Sequence, residues 1–165
     1  MPPLKRRQLT PEQAADRLMA MCAAAEHCSF EMMEKMRRWQ IPPADAMRIL
    51  ERLQSLRYVD DDRFARSFVS DKVRLERRGR LYLRRALAMK RIPASIVATV
   101  LAEIPEELYA DNLRATLTAK IRSNPSLMET FESRTKLFRY LVQRGYEPAL
   151  AAAALRTAAQ SASER

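Results

Sequence analysis

Glycine is almost missing from this chain, at 2 of 165 residues. Sheet proteins of this size need glycine in hairpin turns and bulges, where a positive φ or a close backbone approach is required. Its scarcity, beside an abundance of Ala, Leu, Met, Arg and Glu, excludes a strand-rich fold and predicts an all-α protein. A glycine-rich phosphate loop of the GxxxxGK[ST] kind is excluded for the same reason.

Other shortages narrow the function. One histidine and two cysteines do not furnish the four ligands of a closed zinc site, and two cysteines make no disulfide framework. Cys22 and Cys28 therefore read as reduced thiols, and neither a metal nor a cofactor is expected. His27 has no carboxylate or nucleophile at motif spacing, so no catalytic triad is indicated. The run Asp60, Asp61, Asp62 reads as a capping turn, because consecutive carboxylates diverge and no second cluster completes a cation site. With none of these constellations the chain reads as a non-enzyme. No apolar run is long enough to cross a bilayer, and the opening MPPLKRRQLTPEQ lacks the apolar core of a signal peptide, so a cytoplasmic protein is expected.

What the chain does contain is a threefold pattern. Three turns open at Ile41, Ile92 and Tyr146, spaced 51 and then 54 residues apart, each with proline within two residues. Five positions before them stand Met36, Leu87 and Leu141. Nine before stand Met32, Leu83 and Leu137, and nine after stand Leu50, Leu101 and Leu155. A near-regular period of this length marks stacked supersecondary units. The chain is accordingly divided into a basic flexible arm (1–10), three three-helix modules (11–58, 59–104 and 105–160) and a frayed tail (161–165).

Helices follow from local signals. Thr10 before Pro11 predicts a helix start and Ser29 a second N-cap. Asp60 or Asp61 is expected to cap the helix that carries Phe64, Phe68 and Leu75 on one face. Gly79 ends that segment ahead of a helix from Leu81 to Lys90, and Gly145 stands where a helix C-terminus wants a left-handed residue.

Charge is unevenly shared. The formal balance is +10, and from Lys72 to Arg91 nine basic residues face one acid, Glu76, a local balance of +8. These nine (Lys72, Arg74, Arg77, Arg78, Arg80, Arg84, Arg85, Lys90 and Arg91) are the candidate contact residues. At about 100° per residue, Arg80, Arg84 and Arg91 are expected on one side of a helix, with Tyr82, Leu83, Ala86 and Leu87 on the other. Like charges with so few acids between them point to an anionic partner.

The stretches CSFEMMEKMRRWQIPPADAMRILERL, YVDDDRFARSF and LYLRRALAMKRIP together resemble the RecX family of bacterial recombination regulators. The most specific part is the link between the first two modules, Tyr58 followed by Asp61, Asp62, Arg63, Phe64 and Ala65, with Gly79 ahead of the basic helix. One departure is that the glycine of the family's turn is Gln40 in the first module and Arg91 in the second, surviving only as Gly145. The resemblance implies an elongated, curved array of helical modules. It also implies a regulator that binds RecA and its filament on single-stranded DNA and mainly inhibits RecA ATPase and strand exchange, in DNA repair and the SOS response. RecA and the RecA–DNA filament are the implied partners, with single- and double-stranded DNA as further candidates, for a monomeric protein. The alternative is a DNA-binding protein or transcription regulator built on helix-turn-helix-like units, each module having a helix, short turn and helix.

Overall fold

In a computed structural model, residues 8–163 are described. Among them the regular structure is entirely helical: α1 (Pro11–Ala24), α2 (Ser29–Arg38), α3 (Pro43–Ser55), α4 (Asp61–Arg74), α5 (Arg80–Met89), α6 (Ala94–Ala102), α7 (Glu106–Ser123), α8 (Phe131–Gln143) and α9 (Pro148–Ser163). A 3-10 turn, Pro125–Met128, joins α7 to α8. Most of the expected arm falls on residues 1–7, outside the described residues. Its end is engaged, since the Thr10 side chain accepts from the Gln13 N–H at 3.2 Å and the Gln13 side chain caps the Thr10 N–H at 3.1 Å. Helix α9 continues through Ser163, past the expected start of the tail at Ser161; residues 164 and 165 lie outside the described residues.

The chain folds as two compact units, one of residues up to Ser67 with Lys90–Ile92, the other of Phe68–Met89 with residues from Pro93 onward. The first unit packs α1, α2 and α3 around Leu18, Met32, Met36, Ile49, Leu50 and Leu53. Leu18, Met32 and Met36 are fully excluded from water, each burial stabilising by roughly 1.5–3 kcal/mol. The second unit is built on Val69, Val73, Leu83, Leu87, Val100, Leu117, Leu137 and Leu141, with Tyr109 and Tyr146 buried among them.

The repeated pattern has a backbone cause. At the end of α2 the Gln40 N–H donates to the Arg37 carbonyl and the Ile41 N–H to the Met36 carbonyl. At the end of α8 Gly145 and Tyr146 make the same pair of bonds to Val142 and Leu141. This is the Schellman closure, which requires a left-handed residue and seats an apolar side chain just beyond it. Gln40, Arg91 and Gly145 have φ of 59°, 54° and 101°, and the turn residues Ile41, Ile92 and Tyr146 are all buried. The positions five and nine before each turn are completely buried in all three copies. Leu155 differs from Leu50 and Leu101 in being only partly buried.

Leu75 is a correction. The buried stripe of α4 is Ala65, Val69 and Val73, an i, i+4, i+8 series, whereas Leu75 lies beyond the helix end and is 79% exposed.

Candidate functional site

The link motif is held by hydrogen bonds that reach back to α2. Asp60 caps α4, its Oδ1 accepting from the Arg63 N–H at 3.0 Å. Asp61 caps a different helix: its Oδ1 accepts from the Ser29 N–H at 2.7 Å. Helix α2 needs this because its own N-cap position is Cys28, which makes no side-chain cap bond; Ser29 is the first residue of the helix rather than its cap. Asp62 pairs with Arg66 at 2.8 Å. Arg63 donates to Glu26 at 2.6 Å and to the Arg57 carbonyl at 3.0 Å, while Phe64 and Ala65 are buried and Tyr58 half-buried.

Lys90 and Arg91 join the same unit. Lys90 Nζ donates to Glu31 at 2.5 Å and lies 5.6 Å from the Phe64 ring centroid. His27 Nδ1 stands 2.9 Å from the other Glu31 oxygen, a carboxylate partner one helical turn on that motif spacing did not indicate. Burial opposes ionisation of Glu31, but the bonds to Lys90 and His27 outweigh it and hold its carboxyl below the ordinary value. The Arg91 guanidinium lies 4.9 Å from the Phe30 ring. Cys22 and Cys28 separate: Cys22 Sγ faces Met32 Sδ at 3.6 Å, and Cys28 is buried. Burial raises the pKa of both thiols, which makes them poor nucleophiles.

In the second unit the basic residues divide by what they touch. Lys72 and Arg78 converge on Glu76, whose carboxyl their hydrogen bonds hold below its usual range. The Arg78 guanidinium also lies 4.4 Å from the Tyr82 ring centroid. Arg74, Arg77, Arg84 and Arg85 are exposed and make no ion pair among the described residues.

Arg80 does not belong with them. Its side chain is 17% exposed, its guanidinium lies 4.0 Å from the Tyr109 ring centroid, and it reaches Glu106 at 2.6 Å and Glu147 at 3.6 Å. Tyr109 Oη accepts from the Arg80 N–H at 2.9 Å and donates to Glu147 at 2.6 Å. Burial and then the Glu147 bond push the Tyr109 phenol far above the ordinary tyrosine value, so it remains a donor. The expected grouping of Arg80 with Arg84 and Arg91 therefore fails. Arg80, Leu83 and Leu87 follow i, i+3, i+7 spacing, which puts Arg80 on the core side, and Leu83 and Leu87 are fully buried. Arg91 lies past the end of α5, where the left-handed turn ends the helical register. The partners Glu106 and Tyr109, 26 and 29 residues on in the sequence, and Glu147, further still, carried no local signal.

Gly79 and Gly145 sit in this unit too. A Cβ on Gly79 would collide with the Gly145 carbonyl group, and one on Gly145 would stand 2.5 Å from the Tyr82 nitrogen.

These features define an all-helical protein with a repeated turn and four exposed arginines that make no ion pair among the described residues. Among the described residues no helix is long and apolar enough to cross a membrane. Known proteins show which such protein family it matches. A family model described as "RecX, second three-helix domain" matches residues 60–101. The "Regulatory protein RecX" of Prosthecochloris aestuarii is 30% identical over 136 residues, covering 82% of this chain and 86% of that protein. That of Chlorobium phaeobacteroides is 28% identical, covering 82% and 87%. The crystal structure of RecX from Lactobacillus salivarius superposes with a TM-score of 0.77 at 14% identity, covering 89% of this chain and 95% of that one. The chain belongs to the RecX family of regulatory proteins.

Proposed function

We propose that this chain binds RecA and its filament on single-stranded DNA and regulates it, mainly by inhibiting ATP hydrolysis and strand exchange. The observation that carries the reading is kinship with proteins named "Regulatory protein RecX" over most of their length. The action is by binding rather than by chemistry: a protein that fits one filament conformation better than the others shifts the filament toward it and needs no catalytic residue. In this reading the repeats at 11–58, 59–104 and 105–160 present successive surfaces of a monomer working in the cytoplasm. Arg74, Arg77, Arg84 and Arg85 supply the anionic contact, while Lys72, Arg78, Arg80, Lys90 and Arg91 hold the surrounding structure. The test is RecA's DNA-dependent ATPase with the protein added. Inhibition that weakens when Arg84 and Arg85 are reversed to Glu is expected, and no effect at stoichiometric excess would sink the proposal.

A further inference from the structure

Eight and twelve residues after the turn residue stand Ile49 and Leu53 in the first copy of the pattern, Val100 and Ile104 in the second, and Ala154 and Ala158 in the third. The first four are buried core side chains. Alanine at both positions of the third copy removes that volume, and the space is open. A cavity of about 470 Å³ lies between α7 and α9, floored by Leu117, Ile121, Met128, Ala154 and Ala158. Apolar side chains that border a void forfeit the contacts a close-packed interior makes, so the floor favours an aliphatic occupant. The charged side chains that line the cavity among the described residues are Arg114 and Arg122, with no carboxylate. Arg114 is already paired with Asp111. Arg122 is exposed and makes no ion pair among the described residues.

We propose that this cavity binds an amphiphilic organic anion, its aliphatic chain over Ala154 and Ala158 and its carboxylate at Arg122. The volume lies within the range of small-molecule sites, about 300–1,000 Å³, which are mostly apolar with a few polar groups that fix orientation. From Arg114 to Arg122 the α7 wall is about 12 Å long at 1.5 Å per residue, room for a medium-length chain. A guanidinium at the rim suits a carboxylate, which it can bind through two parallel hydrogen bonds. The groove between α1 and α3, bordered by Ile49, shows the contrast: it holds about 180 Å³ and is lined by Glu12 and Asp45 beside Arg48 and Arg52. Size and charge of a single sign thus go together after the third turn and not after the first. A second copy of this chain is the wrong occupant, because it would bring a net charge of +10 against +10.

The experiment titrates the full chain with decanoate below its micelle concentration, and with decyltrimethylammonium, which has the same tail and the opposite charge. Binding is followed by calorimetry and by the methyl resonance of Met128. Decanoate should bind saturably and shift that resonance, and the cation should do neither. Ala158→Leu restores the side chain found at Leu53, so it should abolish decanoate binding while leaving the melting temperature equal or higher. Arg122→Gln, at an exposed position, should weaken decanoate roughly tenfold. Arg17→Gln removes the same charge from an exposed site on α1 and should leave binding unchanged. Equal binding of the two amphiphiles, no saturable binding of decanoate, or equal losses in the Arg122 and Arg17 variants would overturn the proposal. Decanoate binding that survives Ala158→Leu would do the same, by placing the ligand elsewhere. The function proposed above does not depend on any of these outcomes.

Discussion

Gly79 and Gly145 lie backbone against backbone: the Gly79 N–H donates to the Arg144 carbonyl at 3.0 Å, and the Leu81 N–H to the Gly145 carbonyl at 2.9 Å. The chain's two glycines are thus one contact, fastening the start of α5 to the turn after α8. Tyr146 Oη, donating to the Arg77 carbonyl at 2.7 Å, and a bond from Arg144 to the Glu76 carbonyl close the same seam. At Gly145→Ala the new methyl meets Tyr82 and the backbone holds φ at 101°. The two penalties together are expected to cost roughly 2–5 kcal/mol, read as a fall in denaturation midpoint. A variant as stable as the parent would show that the two backbones can separate freely.

The first-module turn should respond in the opposite sense. Gln40 holds φ of 59° with an exposed side chain, a conformation glycine adopts without the Cβ penalty. Gln40→Gly is expected to stabilise by up to about 1 kcal/mol. Arg91→Gly should be closer to neutral, because it gives up the guanidinium stacked on Phe30. Paired thermal melts of the two variants check the contrast.

This contrast also shows what the sequence could reveal. Apolar positions five and nine residues before each turn are legible because they repeat a helical period, and they mark the core correctly. Gln40 and Arg91 look like departures from a glycine turn, yet the backbone is left-handed at both. At Gln40 the turn is held by the two carbonyl bonds and the buried residue that follows, so a non-glycine residue can occupy it at modest cost. Long-range partners are not legible. The link between Asp61 and Ser29, or between Arg80 and Glu147, joins residues whose neighbours in sequence give no hint of each other. Leu75 misled because its spacing from Phe64 suits a helix that has in fact already ended.

Asp61 tests such a long-range partner directly. Asp61→Ala leaves the first N–H of α2 without its 2.7 Å acceptor, while the cap of α4 on Asp60 remains. Loss of one cap is expected to cost about 1 kcal/mol. Asp60→Ala should cost a similar amount through the other helix, so equal destabilisation by the two variants, seen in urea titrations, is the expected result.

Glu31 gives a pH dependence with a definite sign. Its folded pKa is lowered from 4.5 by hydrogen bonds from Lys90 and His27, so the stability it contributes is fully present above the unfolded value. It is lost as pH falls through the folded one. With a side chain 25% exposed, the contribution is expected to be about 1 kcal/mol. Glu31→Gln should therefore be less stable than the parent at pH 7, and the gap should narrow in acid. A gap that stays constant from pH 7 to well below 4.5 would show that the carboxylate's charge contributes nothing.

Arg80 and Arg84 separate structure from contact. They are one turn apart on the same helix and differ in surroundings: Arg80 sits over Tyr109 with Glu106 and Glu147, and Arg84 is exposed with no ion-pair partner among the described residues. Removing Arg80 leaves Glu147 and the Tyr109 ring without their cation, at a cost of roughly 1–3 kcal/mol. Arg84→Ala should shift stability by no more than about 0.5 kcal/mol. In RecA ATPase assays below the melting range, the order should reverse: Arg84→Ala, and more so Arg84→Ala with Arg85→Ala, should weaken inhibition, while Arg80→Ala retains it. If Arg80→Ala alone abolishes inhibition with the fold intact by circular dichroism, the half-buried arginine is itself the contact, and the division of the basic segment drawn from its exposure is wrong.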